Sequence, residues 1–156
     1  MCGAHATVRG FLGELVGPAR NTSDVIVDME AGLEHLSRGT GRHVSRFLAV
    51  VEPYYRSMET ARRIAALASE LGIERVEAVV NKVRDAADRE AVHGFCAAHG
   101  LSVIGEIPYD PSLAEAERGG HPPLDFNAES PAVRALRTLS DVLIDGGSDH
   151  AGPTVS

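Results

Sequence analysis

Apolar positions along the chain alternate between two rhythms. Short, nearly continuous apolar runs occupy residues 24–28 (DVIVD), 46–51 (RFLAVV), 75–80 (RVEAVV) and 101–107 (LSVIGEI). Runs of this length, rich in Val and Ile, predict buried strands of a parallel sheet. Between them the spacing becomes helical. Val8, Phe11, Leu12, Leu15 and Val16 predict a helix over residues 3–16, ended by Gly17-Pro18. Residues 29–45 form a polar, Gly-rich connection with a short helix near 33–36. Ser57 is placed to cap a helix through Thr60, Ile64, Leu67 and Leu71, stopped at Gly72. Asp88 opens a helix through Val92, Phe95 and Cys96, closed at Gly100. Residues 111–118 read as a short helix and 119–123 as a loop. Residues 130–145 place Val133, Leu136, Leu139, Val142 and Leu143 on one stripe of an amphipathic helix.

Alternating strands and helices imply an α/β fold: a parallel sheet with right-handed crossovers and helices on both faces. At 156 residues the chain is expected to hold one domain, residues 1–145, followed by a disordered tail over 146–156. A net charge of −7 without a Lys/Arg cluster argues against a nucleic-acid module. No apolar run approaches the roughly 20 residues of a membrane helix, and the first residues lack a signal-peptide pattern, so no membrane partner is expected. Two cysteines, Cys2 and Cys96, do not make a disulfide framework, and a cytoplasmic, reducing setting is expected. Cys96, beside Phe95 on an apolar helical face, reads as core.

Three strand ends carry the candidate chemistry. Asp28 ends the first run. A carboxylate delivered to a strand's carboxyl end can hold Mg²⁺, or it can cap the turn that follows. Glu30 is placed to orient a water or to contact a partner, and Gly32 permits close backbone approach to a phosphate. Asn81 and Lys82 follow the third run. An Asn amide offers the paired donor and acceptor that suit a purine edge, and Asn is equally at home in a turn. Pro108, Tyr109 and Asp110 follow the fourth run, where the stiffened backbone can frame a base or simply end the strand. All three groups fall at one edge of one parallel sheet, the edge where open α/β sheets bind ligands.

The ordered motifs DMEAGLEH, VEPYYRSMETARRI, VVNKV and IPYD resemble those of the MinD/ParA-like, deviant P-loop ATPases. Within that group they are similar to the CooC-type accessory proteins that support nickel insertion into carbon monoxide dehydrogenase. The resemblance covers roughly residues 2–144. It implies ATP-dependent homodimerisation and hydrolysis, with ATP and Mg²⁺ as cofactors. Asp28 then falls at the Mg²⁺ site, and Glu30 to Gly32 form the switch segment near the γ-phosphate. Asn81, with Lys82, reads adenine, and the backbone of Pro108, Tyr109 and Asp110 closes over the base. CooC-type proteins carry a Cys-x-Cys motif at the dimer interface, and Cys2 matches its second cysteine. The resemblance thus implies Ni²⁺ or Zn²⁺ shared between subunits, and a metalloenzyme client such as carbon monoxide dehydrogenase. His5 is a further candidate ligand from its chemistry alone.

The chain departs from the family in one respect. Only 23 residues precede Asp24, and none spell GxxxxGK[ST]. The chain is therefore expected to be the C-terminal part of a P-loop NTPase fold, a partial domain lacking the Walker A segment and inactive by itself as an ATPase. Two other functions remain open from sequence: a non-catalytic metal- or partner-binding module, and another MinD/ParA-like positioning ATPase.

Overall fold

The computed structural model describes residues 26–28, 46–73 and 75–145. Three parallel strands, β1 (Phe47–Val51), β2 (Val76–Val83) and β3 (Ser102–Pro108), form a sheet in the order β1-β2-β3. Helix α1 (Tyr55–Glu70) connects β1 to β2, and α2 (Ala86–Ala98) connects β2 to β3. Then follow α3 (Pro111–Arg118), the single turn α4 (Pro123–Phe126) and α5 (Pro131–Asp145). The strand–helix alternation expected of an α/β fold is therefore present.

The pleat sorts the strand residues onto two faces. Ala49, Val51, Ala78 and Val80 pack with Ala61 of α1 and Val92 and Cys96 of α2 in one buried cluster. Cys96 is fully buried, and desolvation pushes its thiol pKa up, as befits a core position. On the other face α5 lies against β3. A Cβ at Gly105 would sit 2.9 Å from Leu139 Cδ1, so the missing side chain is what lets Leu139 approach the strand. Helices thus cover both faces, but unequally. Val50 points away from α1 and α2 and remains 61% exposed, and no described residue pairs with the outer edge of β1.

Several boundaries differ from expectation. Ile26–Asp28 carry no strand pairing, and Ile26 is 92% exposed, so these described residues are not part of a buried strand. An apolar run becomes a strand only where a neighbour satisfies its backbone, and Ile26–Asp28 have no strand partner among the described residues. The helix capped in expectation by Ser57 begins three residues earlier, with Tyr54 at the cap position and Tyr55 as its first residue. Ser57 Oγ instead accepts the Glu52 N–H at 2.9 Å, fixing the turn out of β1. Helix α2 is capped by Asp85, whose carboxylate accepts the Asp88 N–H at 2.8 Å, so Asp88 lies in the first turn. The expected loop over 119–123 ends in the first residue of α4. The expected helices over 3–16 and 33–36 and the tail over 146–156 lie outside the described residues. No helix among the described residues is long and apolar enough to cross a membrane.

Candidate functional site

The carboxyl ends of β1, β2 and β3 bring together residues that sequence separates by up to 58 positions, from Glu52 to Asp110. β2 runs three residues further than its apolar run, so Asn81 and Lys82 lie inside the strand rather than after it. Asn81 is still in the ladder, opposite Ile107, while Val83 pairs with Pro108. Lys82 is thus the extra residue of a β-bulge. It adopts φ 60, and no other described non-glycine residue has positive φ.

The bulge has a sequence cause. Val80 faces the core, so strict alternation would send Lys82 inward and Val83 out. One inserted residue reverses this: Val83 is buried and Lys82 reaches across the sheet edge. Its Nζ lies 2.8 Å from Glu52 Oε1, just beyond β1. That hydrogen bond raises the Lys82 pKa, keeping the ammonium charged. A left-handed conformation at a non-glycine residue costs about 1–2 kcal/mol. The Lys82–Glu52 pair is half exposed, with side chains 52% and 24% accessible. Such pairs contribute only about 0–1 kcal/mol. The pair therefore does not offset the strain.

Beyond the bulge, Tyr109 N–H donates to Val83 O at 2.8 Å, and the Arg84 guanidinium lies 5.2 Å from the Tyr109 ring centroid. This cation–π stack bridges the ends of β2 and β3. Tyr54, Tyr55 and Tyr109, the chain's three tyrosines, are all exposed at this same edge. The edge thus offers an Asn amide, two cations in Lys82 and Arg84, and flat aromatic surface. These are the groups that hold a purine base with anionic substituents.

Asp110 has other work. Its Oδ1 accepts Ser112 N–H at 3.0 Å and Ser112 Oγ–H at 2.7 Å, and its Oδ2 accepts Ala132 N–H at 3.2 Å. One carboxylate therefore serves the first turns of both α3 and α5. The Ser112 hydroxyl, with the backbone N–H groups, pulls its pKa down to about 2. Pro108 is the last residue of β3, whose missing N–H falls on the strand's final ladder position.

Asp28 is exposed, and no described contact joins it to Asn81 or Tyr109. Glu30, Gly32, Cys2 and His5 lie outside the described residues. Among the described residues no three His, Cys, Asp or Glu side chains form a metal cluster. An exposed carboxylate such as Asp28 fits Mg²⁺ as Mg²⁺ is commonly held, by one or two carboxylates with phosphates and waters completing the shell.

Sequence reasoning missed Glu52, Arg84 and the bulge. An out-of-phase Val83 after Val80 was the available signal for the bulge. It also passed over His93, which joins Arg89 of α2 at Glu106 of β3, with Nε2 3.1 Å from Glu106 Oε2. That cluster, chiefly through Arg89, lowers the Glu106 pKa. A separate open cavity of about 590 Å³, lined by Ala65, Ser69, Ile73, Val76 and Leu101, lies at the amino ends of β2 and β3. It is at the opposite edge from the groups above, and Arg62 and His99 also line it.

No family model matches the chain. Over 156 residues it is 35% identical to the carbon monoxide dehydrogenase accessory protein CooC of Rhodospirillum rubrum, covering 99% of this chain and 55% of that protein. Over 145 residues it is 35% identical to an uncharacterized ATP-binding protein of Methanocaldococcus jannaschii, covering 92% of this chain and 54% of that protein. The chain is a homologue of CooC and of this ATP-binding protein over about half of their length. Solved structures agree on the fold. The cell division ATPase MinD of Pyrococcus furiosus matches with TM-score 0.72 at 17% identity, over 90% of this chain and 58% of that one. The septum site-determining protein MinD of Pyrococcus horikoshii, solved with Mg-ADP, matches with TM-score 0.71 at 15% identity, over 96% and 60%. The chain spans about half the length of the curated relatives it matches, 54% and 55%. The MinD/ParA-like fold and the parallel α/β sheet are therefore as the motifs implied.

Proposed function

We propose that this chain carries the base-binding portion of an ATP-dependent accessory ATPase that supports metal insertion, nickel in the first instance, into a metalloenzyme such as carbon monoxide dehydrogenase. The observation that carries the proposal is the meeting of Asn81, Lys82, Arg84 and Tyr109 at one sheet edge in a homologue of ATP-binding proteins.

In this proposal the Asn81 amide meets the purine edge. The Arg84–Tyr109 stack offers the flat surface beside it, and the Lys82 and Arg84 charges favour the anionic end of the ligand in a chain that is otherwise acidic. Asp28 supplies a carboxylate to Mg²⁺, which neutralises phosphate charge when bound. Hydrolysis further requires a phosphate cradle of backbone N–H groups and a lysine, which the 156 residues do not spell as GxxxxGK[ST]. In the full system two copies close on ATP and hold the metal cargo between them, with Cys2 as a ligand. Hydrolysis then releases the closed state.

The testing experiment is equilibrium dialysis of the purified chain with Mg-ADP and Mg-ATP. Saturable binding that weakens by about tenfold in Asn81→Ala, the loss of about 1.4 kcal/mol of hydrogen bonding, is the expected result. Binding unaffected by Asn81→Ala would remove the base from this edge.

A further inference from the structure

We propose that Lys82 is a positioning residue. Its left-handed bulge and its ion pair with Glu52 strap the carboxyl ends of β1 and β2 together and hold Asn81 at the sheet edge. The nucleotide part of this inference rests on the function proposed above.

The backbone at Lys82 favours glycine, yet a lysine stands there, and its ion pair falls short of the strain it carries. Stability therefore does not account for the side chain. Its contacts do. Glu52, the acceptor of the Lys82 ammonium, is fixed by its own backbone: its N–H donates to Ser57 Oγ at 2.9 Å, and its carbonyl accepts Tyr54 N–H at 2.7 Å. Ser57 lies in the first turn of α1, so the strap runs from α1 through the end of β1 to β2. On the other side of the bulge, Val83 is anchored twice, by burial in the core and by its carbonyl accepting Tyr109 N–H. Asn81 and Lys82 span the interval between these two fixed points. Asn81 itself keeps its register opposite Ile107, one position before the ladder shifts. The orientation of its amide depends on the bulge next to it. The other groups facing Lys82 are Tyr54 and Arg84, and neither replaces Glu52 as an acceptor for the ammonium.

The strap separates two roles that usually travel together. Replacing Lys82 by Gly removes the strain and the strap at once. Replacing Glu52 by Ala removes the strap and leaves the strain. A residue kept only for stability would show its loss in melting. A positioning residue shows it in local order and ligand affinity.

The experiment uses the full chain and the variants Lys82→Gly, Glu52→Ala and Lys82→Arg. The readouts are the melting midpoint, amide hydrogen exchange at residues 80–83, and ADP affinity by equilibrium dialysis. Lys82→Gly is expected to melt within about 2 °C of the parent chain or above it. In both Lys82→Gly and Glu52→Ala, exchange at Asn81 and Val83 is expected to quicken by about tenfold. ADP affinity is expected to fall by about tenfold in the same two variants. Lys82→Arg, which keeps the charge, should recover most of both.

Unchanged protection in Lys82→Gly would overturn the strap. So would a melting loss above about 5 °C, which marks Lys82 as a stabilising residue. Protection lost with ADP affinity intact would overturn its role toward Asn81. If the parent chain binds no ADP, the function proposed above fails, and exchange still decides whether the strap exists.

Discussion

Replacing Asp110 tests how the carboxyl edge divides its labour. The family resemblance gave the backbone of Asp110 to the base, and its carboxylate is engaged by Ser112 and Ala132, one on α3 and one on α5. Both helices begin with proline, at Pro111 and Pro131, which leaves the next N–H groups to find acceptors. Losing one capping acceptor costs about 1 kcal/mol, and Asp110→Ala removes the acceptor from two helices. Its expected cost is about 2 kcal/mol, or a melting decrease of roughly 4–8 °C for a chain of this size. Asp110→Asn keeps one oxygen acceptor and should lose about half as much. The pH dependence has a definite sign. The folded pKa is lowered to about 2 from the usual 3.8, so the carboxylate contributes stability above the unfolded pKa. That contribution falls away as pH drops through about 4 toward 2. Urea unfolding of the parent chain and Asp110→Asn should therefore give a constant difference from pH 7 to 5 that closes toward pH 2. A change under about 0.5 kcal/mol for Asp110→Ala, with ADP binding lost instead, would refute the structural role and return Asp110 to the ligand.

Three further outcomes are expected. Leu139→Ala should destabilise by about 2–3 kcal/mol in urea unfolding, since Leu139 is the side chain seated on Gly105 between α5 and β3. Arg84→Ala combined with Tyr109→Ala should leave melting nearly unchanged, because both are surface groups, while weakening ADP by about five- to tenfold in dialysis. The purified chain should release no phosphate from Mg-ATP above background; turnover that Asp28→Ala abolishes would show that a catalytic centre exists without a P-loop lysine.

Most of the sheet was legible because it is carried by burial. RFLAVV, RVEAVV and the run ending in GEI are short apolar stretches separated by amphipathic helices, and each appears as a strand in parallel register. Their ends were less legible because strand ends are set by hydrogen bonding rather than hydrophobicity. β2 continues past its apolar run since Asn81 still pairs with Ile107 and Val83 with Pro108 on either side of the Lys82 bulge. Helix α1 begins at Tyr55, not at the better capping residue Ser57, because the Glu52 N–H claims the Ser57 hydroxyl first. The run DVIVD shows the converse: its apolar pattern is as strong as any in the chain, yet Ile26–Asp28 do not pair. Apolar pattern proposes a strand, and actual hydrogen bonding to a neighbour is needed to make one.

The candidate site was legible as a set of positions and not as a set of roles. Asn81, Lys82, Tyr109 and Asp110 do share one edge, as their places at successive strand ends implied. What each does there depends on which partner is nearest, and that is a long-range property. Asp110 met two helix termini and became a structural anion. Lys82 met Glu52, 30 residues earlier, and became one end of a strap. Arg84, unremarked in the sequence, met a tyrosine and became part of a flat cationic surface. The Asn81 side chain has no structural duty among the contacts described. A side chain left free beside two cations and an aromatic surface, in a homologue of ATP-binding proteins, is the position where a base contact is expected. That is why the loss in Asn81→Ala should appear in ligand affinity and not in melting.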